Sequence, residues 1–242
     1  MVITFSKLGK YGRRGNAMFQ IATTIGHAEK MGEAYKFPIW EHQLDYTLND
    51  CWAKVLPSNP VYEEPHYHYA PIPEKKNLDL HGYFQSYRYF NFCEDLIRKK
   101  LTPTDQEYFP TLPDICGIHV RRTDYLKFAD HHTNLGMGYY EQAMNEVGSR
   151  HYMVFSDDPA WCKEAFSGFP NVDVSEEADA LTDFSMMISC ENQIIANSSF
   201  SWWAAWLNPN SDKVVVAPKN WFGPSLKCHD TKDLIPPEWV VV

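Results

Sequence analysis

Two adjacent arginines, Arg121 and Arg122, directly follow the apolar run from Ile115 to Val120. A guanidinium stays charged at neutral pH and carries a planar fork of donors, so an arginine pair at a strand end requires anionic partners. A diphosphate is a good partner. The structural alternative is an ion pair between one arginine and Asp124, or a carboxylate on a helix. Placement of the pair opposite a helix N-terminus favours the bound anion.

A second polar stretch, Asn197 to Ser201, passes straight into the apolar run WWAAWL. Backbone N–H groups and the helix dipole make such a helix start an anion site, so Ser199 to Ser201 could hold the same phosphate as Arg121. The alternative is an ordinary N-cap at Ser198 or Ser199, which requires no ligand.

A third polar group, Asp157 and Asp158, follows the apolar run HYMVFS. A carboxylate at a strand end can accept hydrogen bonds from guanine or ribose. Alternatively, either aspartate caps a helix that begins near Pro159. No third carboxylate or histidine stands at ligand spacing beside this pair, so we expect no metal site here.

The second half of the chain alternates strand-like and helix-like runs, which predicts a parallel sheet with crossover helices, a Rossmann-like half. The strand-like runs are ICGIHV, HYMVFS, NVDVS, NQIIANS and KVVVAP, and the helix-like runs span 138–147, 159–166, 178–190 and 199–207. Ligands of such sheets gather outside the carboxyl ends of the strands. We therefore expect the three polar groups to meet in one crevice.

The first half opens with a strand over 2–5, a glycine-containing loop and a helix for which Asn16 is the expected N-cap. The segment 37–73 has little periodicity and is expected to be irregular. Pro103, Pro110 and Pro113 mark a linker, so we predict an N-terminal domain over 1–107 and a C-terminal domain over 113–242.

The 242 residues carry a net charge of −9 and 44% apolar residues, which indicates a globular chain and argues against a nucleic-acid partner. Six irregularly spaced cysteines are expected to be reduced. No segment reaches the length of a membrane span, and no signal peptide opens the chain. We expect a cytoplasmic protein of microbial or viral origin, or a chain cut from a larger one.

Three ordered segments, HVRRTDY, FSDDPAWCK and NSSFSWWAAWLN, resemble the motifs of the α-1,2-fucosyltransferase family. GNAMFQIA, GYFQSYRYF, APKNWF and DLIPPEW are similar to further segments of that family. The resemblance spans nearly the whole chain. HVRRTD is also similar to the corresponding string of α-1,6-fucosyltransferases and is related to that of protein O-fucosyltransferases.

The resemblance implies an α/β fold of GT-B type, with two Rossmann-like domains facing a cleft and a reduced first domain. The domain over 1–107 would serve the acceptor side and that over 113–242 would bind GDP-fucose. L-Fucose would pass from GDP-β-L-fucose to a glycan hydroxyl with inversion, forming an α-1,2 linkage to a galactoside without a metal or other cofactor. An oligosaccharide or glycoconjugate is the expected acceptor, and no stable membrane insertion is expected.

Carried over by resemblance, His119 and Arg121 would bind GDP, with Arg121 on the β-phosphate. The donor site is completed by the other polar residues at the strand ends: Arg122, Asp157, Asp158, Asn197, Ser199, Phe200 and Ser201. The opening loop with Arg13, Arg14 and Asn16 would face the cleft. Its two arginines and Ala17 depart from the family's usual loop, which leaves the acceptor geometry open.

The general base is not fixed by the sequence. Asp124 is the first candidate because it follows the arginine pair, but it could instead form an ion pair that orients Arg122. Asp130 and His131 are alternatives. Two other functions also remain open: a fucosyltransferase of α-1,6 or O-fucosyl linkage, and a catalytically degenerate module that binds a sugar nucleotide or a glycan.

Overall fold

The computed structural model describes residues 1–48, 50–106, 109–177 and 179–242. The chain forms two compact units: the first contains Met1–Asp105 and His229–Pro236, and the second contains Gln106–Cys228 and Pro237–Val242. Each unit is built on one parallel sheet. This confirms the predicted α/β class with two Rossmann-like sheets.

The unit boundaries differ from the predicted ones near the C-terminus. The predicted domain over 113–242 includes 229–236, a segment that packs with the first unit. Asp233 holds it there by accepting hydrogen bonds from Arg88 Nη1 at 2.9 Å and from Tyr69 N at 3.2 Å. Glu107, the last residue of the predicted first domain, lies outside the described residues.

The first unit has a five-stranded parallel sheet. Its elements are β1 (Val2–Thr4), α1 (Arg14–Met31), β2 (Ala34–Pro38), β3 (Trp52–Ala53), β4 (Val61–Glu63), β5 (Asp79–His81) and α2 (Glu94–Leu101). The strands lie in the order β3-β2-β1-β5-β4. The prediction of irregular structure over 37–73 was therefore partly wrong, because β3 and β4 fall in it. Strands of two and three residues are too short to show a periodic pattern.

Helix α1 begins three residues earlier than predicted. Arg13 occupies the N-cap position without a side-chain cap bond, so the prediction of Asn16 as N-cap was wrong. Asn16 instead donates from Nδ2 to Tyr11 O at 3.1 Å and accepts from Gln85 Nε2 at 2.8 Å. The helix ends at Gly32, whose φ of 63° is the left-handed conformation that glycine adopts without strain.

The second unit has a six-stranded parallel sheet in the order β11-β10-β9-β6-β7-β8. Its strands are β6 (Leu112–Val120), β7 (His151–Ser156), β8 (Val172–Val174), β9 (Cys190–Ile194), β10 (Val215–Ala217) and β11 (Val240–Val241). Its helices are α3 (Thr123–Lys127), α4 (Met137–Val147), α5 (Pro159–Ala165), α6 (Ala180–Ser189) and α7 (Ser199–Leu207). The predicted alternation is confirmed, although Ala178, where the third helix was expected to start, lies outside the described residues.

Strand β6 lies at the centre of this second sheet and supplies its core. Cys116, Ile118 and Val120 are fully buried, and they pack with Val154 and Ile194 from the two neighbouring strands. All six cysteines are free, as expected. Among the described helices, none has both the length and the apolar content that crossing a membrane requires.

Candidate functional site

The carboxyl ends of three neighbouring strands carry the polar groups that the sequence singled out. Strand β6 pairs with β7 on one side and β9 on the other. The chain adds strands β6, β7 and β8 toward one edge of the sheet. It then returns to the other side of β6 and adds β9, β10 and β11 toward the opposite edge, so the order in which strands are added reverses between β6 and β9. In open parallel sheets, ligands bind at the carboxyl side of this switch point. The strand order thus confirms that the three strand ends are adjacent.

Arg121 lies at this edge between two carboxylates. Its Nη2 is 2.6 Å from Asp124 Oδ1, and its Nη1 is 3.1 Å from Asp157 Oδ2. Asp124 therefore pairs with Arg121, and Arg122 has Asp158 as a carboxylate partner. The internal ion pair considered from sequence is present, and an incoming anion would compete with Asp124 for the guanidinium.

Asp157 fixes the backbone that presents Arg121. Its carboxylate accepts from Arg122 N at 2.9 Å and from Thr123 N at 3.2 Å, and it also bonds the Thr123 hydroxyl. Burial opposes its ionisation, but the bonds from Thr123 and Arg122 and the charge of Arg121 together lower its pKa. Asp157 is thus a carboxylate whose oxygens are already used within the protein, which leaves little capacity for guanine or ribose.

Asp158 and Arg122 form a second contact beside it. Asp158 caps α5 by accepting from Trp161 N at 3.2 Å, as one of the sequence alternatives proposed, and it lies 3.2 Å from Arg122 Nε. The Arg122 guanidinium stacks over the Trp161 ring, 3.8 Å from its centroid. Arg122 is held by this stack and by Asp158 rather than aimed freely at a ligand.

His119, the penultimate residue of β6, meets helix α7. Its Nδ1 lies 2.9 Å from Ser201 Oγ, and its ring packs against Phe200 with centroids 5.6 Å apart. Burial, and then the charge of Arg121, lowers the pKa of His119 to about 3. The ring is therefore neutral at any physiological pH. This contact joins the two elements that flank the switch point.

The start of α7 has the expected capping geometry. Ser198 is the N-cap and its hydroxyl accepts from Phe200 N at 3.3 Å. Ser199 and Phe200 are only half-buried at this helix start, whereas Ser201 is fully buried. Asn197 donates from Nδ2 to the carbonyls of Thr133 and Trp221, at 3.0 and 2.8 Å, so its amide hydrogens already have partners within the unit.

Tyr125 is a site residue that the sequence did not single out. Its hydroxyl donates to Asn197 O at 2.9 Å, and its ring stacks on His132 with centroids 3.9 Å apart. The Arg121 guanidinium lies 5.7 Å from the centroid of the same ring. Tyr125 thus ties the segment after β6 to the segment after β9. Its position directly after Asp124 in HVRRTDY was the available signal.

The predicted loop residues Arg13, Arg14 and Asn16 belong to the first unit. Arg14 Nη1 is 2.7 Å from Asp45 Oδ2, and its Nη2 lies 2.9 Å from His42 Nδ1. Arg13 is exposed at the helix start. In the parts of the chain that the structure describes, no three His, Cys, Asp or Glu side chains are grouped as metal ligands would be.

Solved fucosyltransferases share this fold. The structure of the fucosyltransferase NodZ from Bradyrhizobium superposes with a TM-score of 0.56 at 13% identity, covering 86% of this chain and 93% of that one. A structure of POFUT1 in complex with GDP superposes with a TM-score of 0.53 at 10% identity, covering 89% and 98% of the two chains. At these identities the likeness shows the GT-B-like fold alone.

Relatives identified by sequence indicate the protein family. An O-antigen biosynthesis glycosyltransferase, WbnK of Escherichia coli, is 38% identical over 82% of this chain and 72% of its own length. An α-1,2-colitosyltransferase of Escherichia coli is 30% identical, over 69% of this chain and 63% of its own length. Human galactoside α-(1,2)-fucosyltransferase 1 is 28% identical over 95% of this chain and 72% of its own. The model of glycosyl transferase family 11 matches residues 44–242, so this chain is a glycosyltransferase that belongs to that family.

Proposed function

We propose that this protein transfers L-fucose from GDP-β-L-fucose to a hydroxyl of a galactoside, with inversion, and forms an α-1,2 linkage. One observation carries the proposal: Arg121 lies at the switch point of the second sheet, two residues after His119, whose ring contacts Ser201 and Phe200 in the first turn of α7. A guanidinium fork and the first turn of a helix both recognise phosphate oxygens. The galactoside α-(1,2)-fucosyltransferase among the relatives supports the donor and the linkage.

In this proposal the reaction is an in-line displacement by the acceptor hydroxyl at the anomeric carbon of fucose. The bond to the β-phosphate breaks as the new glycosidic bond forms, and negative charge develops on the departing GDP. Arg121 and the N–H groups at the start of α7 stabilise that charge, an interaction that strengthens as the charge develops. Asp124 is the first candidate for the base that receives the acceptor's proton, with Asp130 and His131 as alternatives.

The decisive variant is Arg121→Ala. We expect transfer from GDP-fucose to fall by about 10²–10³-fold or more, because a preorganised partner of the leaving group is lost. Arg150→Ala, which removes an exposed arginine of the same unit, is the matched control and should retain activity. Product formation by Arg121→Ala at a rate near that of the unmodified protein would refute the role of Arg121.

The assay is run with a panel of β-galactosides and other acceptors, with and without a chelator, and the product linkage is determined by NMR. Transfer in the presence of the chelator is expected. An α-1,6 or O-linked product would replace the proposed linkage, and GDP binding without transfer would indicate a degenerate binding module. We further propose a microbial source, which the Escherichia coli relatives support, and a cytoplasmic location.

A second donor sugar is worth testing, because one relative is named an α-1,2-colitosyltransferase. GDP-colitose is therefore offered in parallel with GDP-fucose, at equal concentrations and with the same acceptors. A higher kcat/KM with GDP-colitose would change the proposed sugar and leave the proposed nucleotide and linkage class in place.

A further inference from the structure

His119 and Ser201 form a buried contact in which the hydrogen bond can run in either direction. His119 ends the core of β6 and is only 5% exposed, and Ser201, in the first turn of α7, is fully buried. His119 Nδ1 and Ser201 Oγ are 2.9 Å apart, so a hydrogen bond joins them. A neutral imidazole carries one ring hydrogen, which can lie on either nitrogen.

The direction of this bond is coupled to a second contact of Ser201. Ser201 Oγ also lies 3.3 Å from the carbonyl oxygen of Ser198, which can only accept and which already accepts from Trp202 N at 3.0 Å. If the single hydroxyl hydrogen of Ser201 is donated to this carbonyl, Ser201 Oγ accepts from His119, the ring hydrogen lies on Nδ1 and Nε2 carries a lone pair. If the hydroxyl hydrogen is instead donated to Nδ1, the ring hydrogen lies on Nε2.

The Nε2 atom of His119 is the ring nitrogen that remains for a ligand, because Nδ1 is bonded to Ser201. Within the described ranges, no side chain or backbone group forms a hydrogen bond to it. A neutral nitrogen with a lone pair accepts hydrogen bonds and repels a phosphate oxygen, which is also an acceptor. Its natural partner in a sugar nucleotide is a hydroxyl or N–H group.

We propose that Ser201 is a positioning residue that holds His119 in the Nδ1-protonated tautomer, so that Nε2 accepts a hydrogen bond from a hydroxyl or N–H group of the bound sugar nucleotide. The ligand's identity rests on the proposed function, whereas the tautomer does not. The expectation that the Ser201 side chain contacts the phosphate is replaced, because its hydrogen is donated to Ser198. Ser201 acts on the donor only through His119.

The tautomer is measured directly by ¹⁵N NMR of the histidine ring nitrogens in the nucleotide-free protein. We expect a protonated Nδ1 and a bare Nε2 in the unmodified protein, and loss of this preference in Ser201→Ala. Ser189→Ala is the matched control, because Ser189 is another buried serine that donates to a carbonyl of its own helix. A proton on Nε2 in the unmodified protein, or no change in Ser201→Ala, would overturn the proposal.

A second pair of variants guards against a folding defect. Threonine and valine have the same shape, but only threonine keeps a hydroxyl that can bond a helix carbonyl. Ser201→Thr should preserve the tautomer and Ser201→Val should lose it. Equal behaviour of these two folded variants would contradict the proposal even if Ser201→Ala does not fold.

Calorimetric titration then identifies the group that Nε2 accepts from. Ser201→Ala should bind GDP-fucose about tenfold more weakly, the effect of losing one oriented hydrogen bond to a buried acceptor. The ligand lacking the partner group should show no such loss: 2′-deoxy-GDP or 3′-deoxy-GDP for a ribose hydroxyl, IDP for the guanine amino group, and GDP for a fucose hydroxyl. An equal loss for all of these ligands would leave the purine N1–H, which each of them retains, as the partner of Nε2, and an equal loss for ADP as well, which lacks that N–H, would exclude a specific acceptor role for Nε2.

The two proposals fail in different ways. If the unmodified protein shows the expected tautomer but binds neither GDP nor GDP-fucose, the proposed function and the ligand contact fall and the tautomer stands. If GDP binds and transfer occurs but Nε2 carries the proton, only the positioning role of Ser201 falls.

Discussion

At the scale of single residues, the Arg121 guanidinium is shared by two carboxylates with different surroundings. Asp157 accepts three further hydrogen bonds from the turn after β6, whereas Asp124 presents Oδ1 to Arg121 Nη2 from the first turn of α3. Asp157 is therefore built into the turn, and Asp124 engages the guanidinium nitrogen Nη2, for which an anionic ligand would compete. The two carboxylates should have opposite effects on nucleotide affinity.

We predict that Asp124→Asn binds GDP about two- to fivefold more tightly, because a competing anion with the strength of a partly exposed ion pair is removed. Asp157→Asn should bind GDP more weakly, because the turn that presents Arg121 loses its charged acceptor. Isothermal titration of both variants checks this. Weaker binding by Asp124→Asn would show that its carboxylate does not compete with the nucleotide.

His119 makes stability depend on pH. Its pKa is lowered to about 3 by burial and by Arg121, while in the unfolded chain it returns to about 6.5. Between these values the unfolded state binds the extra proton, so the free energy of unfolding falls by about 1.4 kcal/mol for each unit of acidification. Above pH 6.5 His119 is neutral in both the folded and the unfolded state and does not reduce the free energy of unfolding. As the pH drops from 6.5 toward 3, protonation of His119 in the unfolded state lowers that free energy progressively.

We therefore predict that His119→Gln flattens the acid limb of the stability curve. Urea unfolding between pH 4 and 7 measures the slope, and His151→Gln is the control, since His151 lies at the start of β7 in the same unit and its side chain is 39% exposed. A slope in His119→Gln as steep as that of the unmodified protein would show that other groups bind the protons.

At the scale of elements, the segment after α3 is attached by its backbone to the segment that follows β10. Gly223 N donates to His131 O at 2.8 Å, and Ser225 N and Oγ both donate to Asp130 O. A Cβ at Gly223 would lie 2.6 Å from Asp130 O and 2.7 Å from Ala129 O. Close backbone approach, and not a positive φ, is what requires glycine here. The segment carries Asp130 and His131, two of the candidate bases.

We predict that Gly223→Ala costs about 1–3 kcal/mol and displaces the segment around Asp130, because the new methyl group overlaps two carbonyl oxygens. Gly138→Ala is the control: it lies within α4 with open space around its Cβ, and it should stabilise by about 0.4–1 kcal/mol. Urea unfolding and amide exchange at residues 129–133 measure both effects. Unchanged exchange in Gly223→Ala would show that the contact is not tight.

At the scale of the whole molecule, the chain leaves the second unit at residue 229 and re-enters it after residue 236. Asp233 bonds the segment 229–236 to the rest of the first unit. It is 8% exposed and serves both the Tyr69 backbone and Arg88, whereas the Arg88 side chain is 47% exposed and can be solvated alone. Loss of the Asp233 side chain leaves Tyr69 N without its acceptor. Loss of Arg88 leaves the Asp233 carboxylate with Tyr69 N still bonded to it.

Asp233→Ala should therefore destabilise the protein by about 1–3 kcal/mol, because a partly buried backbone donor and the Arg88 guanidinium both lose their partner. Arg88→Ala should cost about 1 kcal/mol or less, as expected for a largely exposed ion pair. Urea transition midpoints compare the two, and proteolysis within 229–236 should increase in Asp233→Ala alone. A larger effect of Arg88→Ala would mean that its stack on the Tyr69 ring carries the attachment.

The sequence alone determined the second sheet and the polar groups of the candidate site at its strand ends. Strand-like runs of six or seven residues, with polar groups at their carboxyl ends, predicted β6, β7 and β9. Continuous apolar runs are typical of strands buried on both faces, so local sequence carried that information. The ordered motifs likewise led to the correct family.

Only the tertiary structure decided how the site residues are paired. The partner of Asp124, the use of Asp157 within its own turn and the contact between His119 and Ser201 all join residues that are distant in sequence or that have several polar neighbours. Adjacent strands and a reversal of strand order bring residue 119 to within a hydrogen bond of residue 201. Such contacts depend on strand order and side-chain direction, which local residue patterns do not specify.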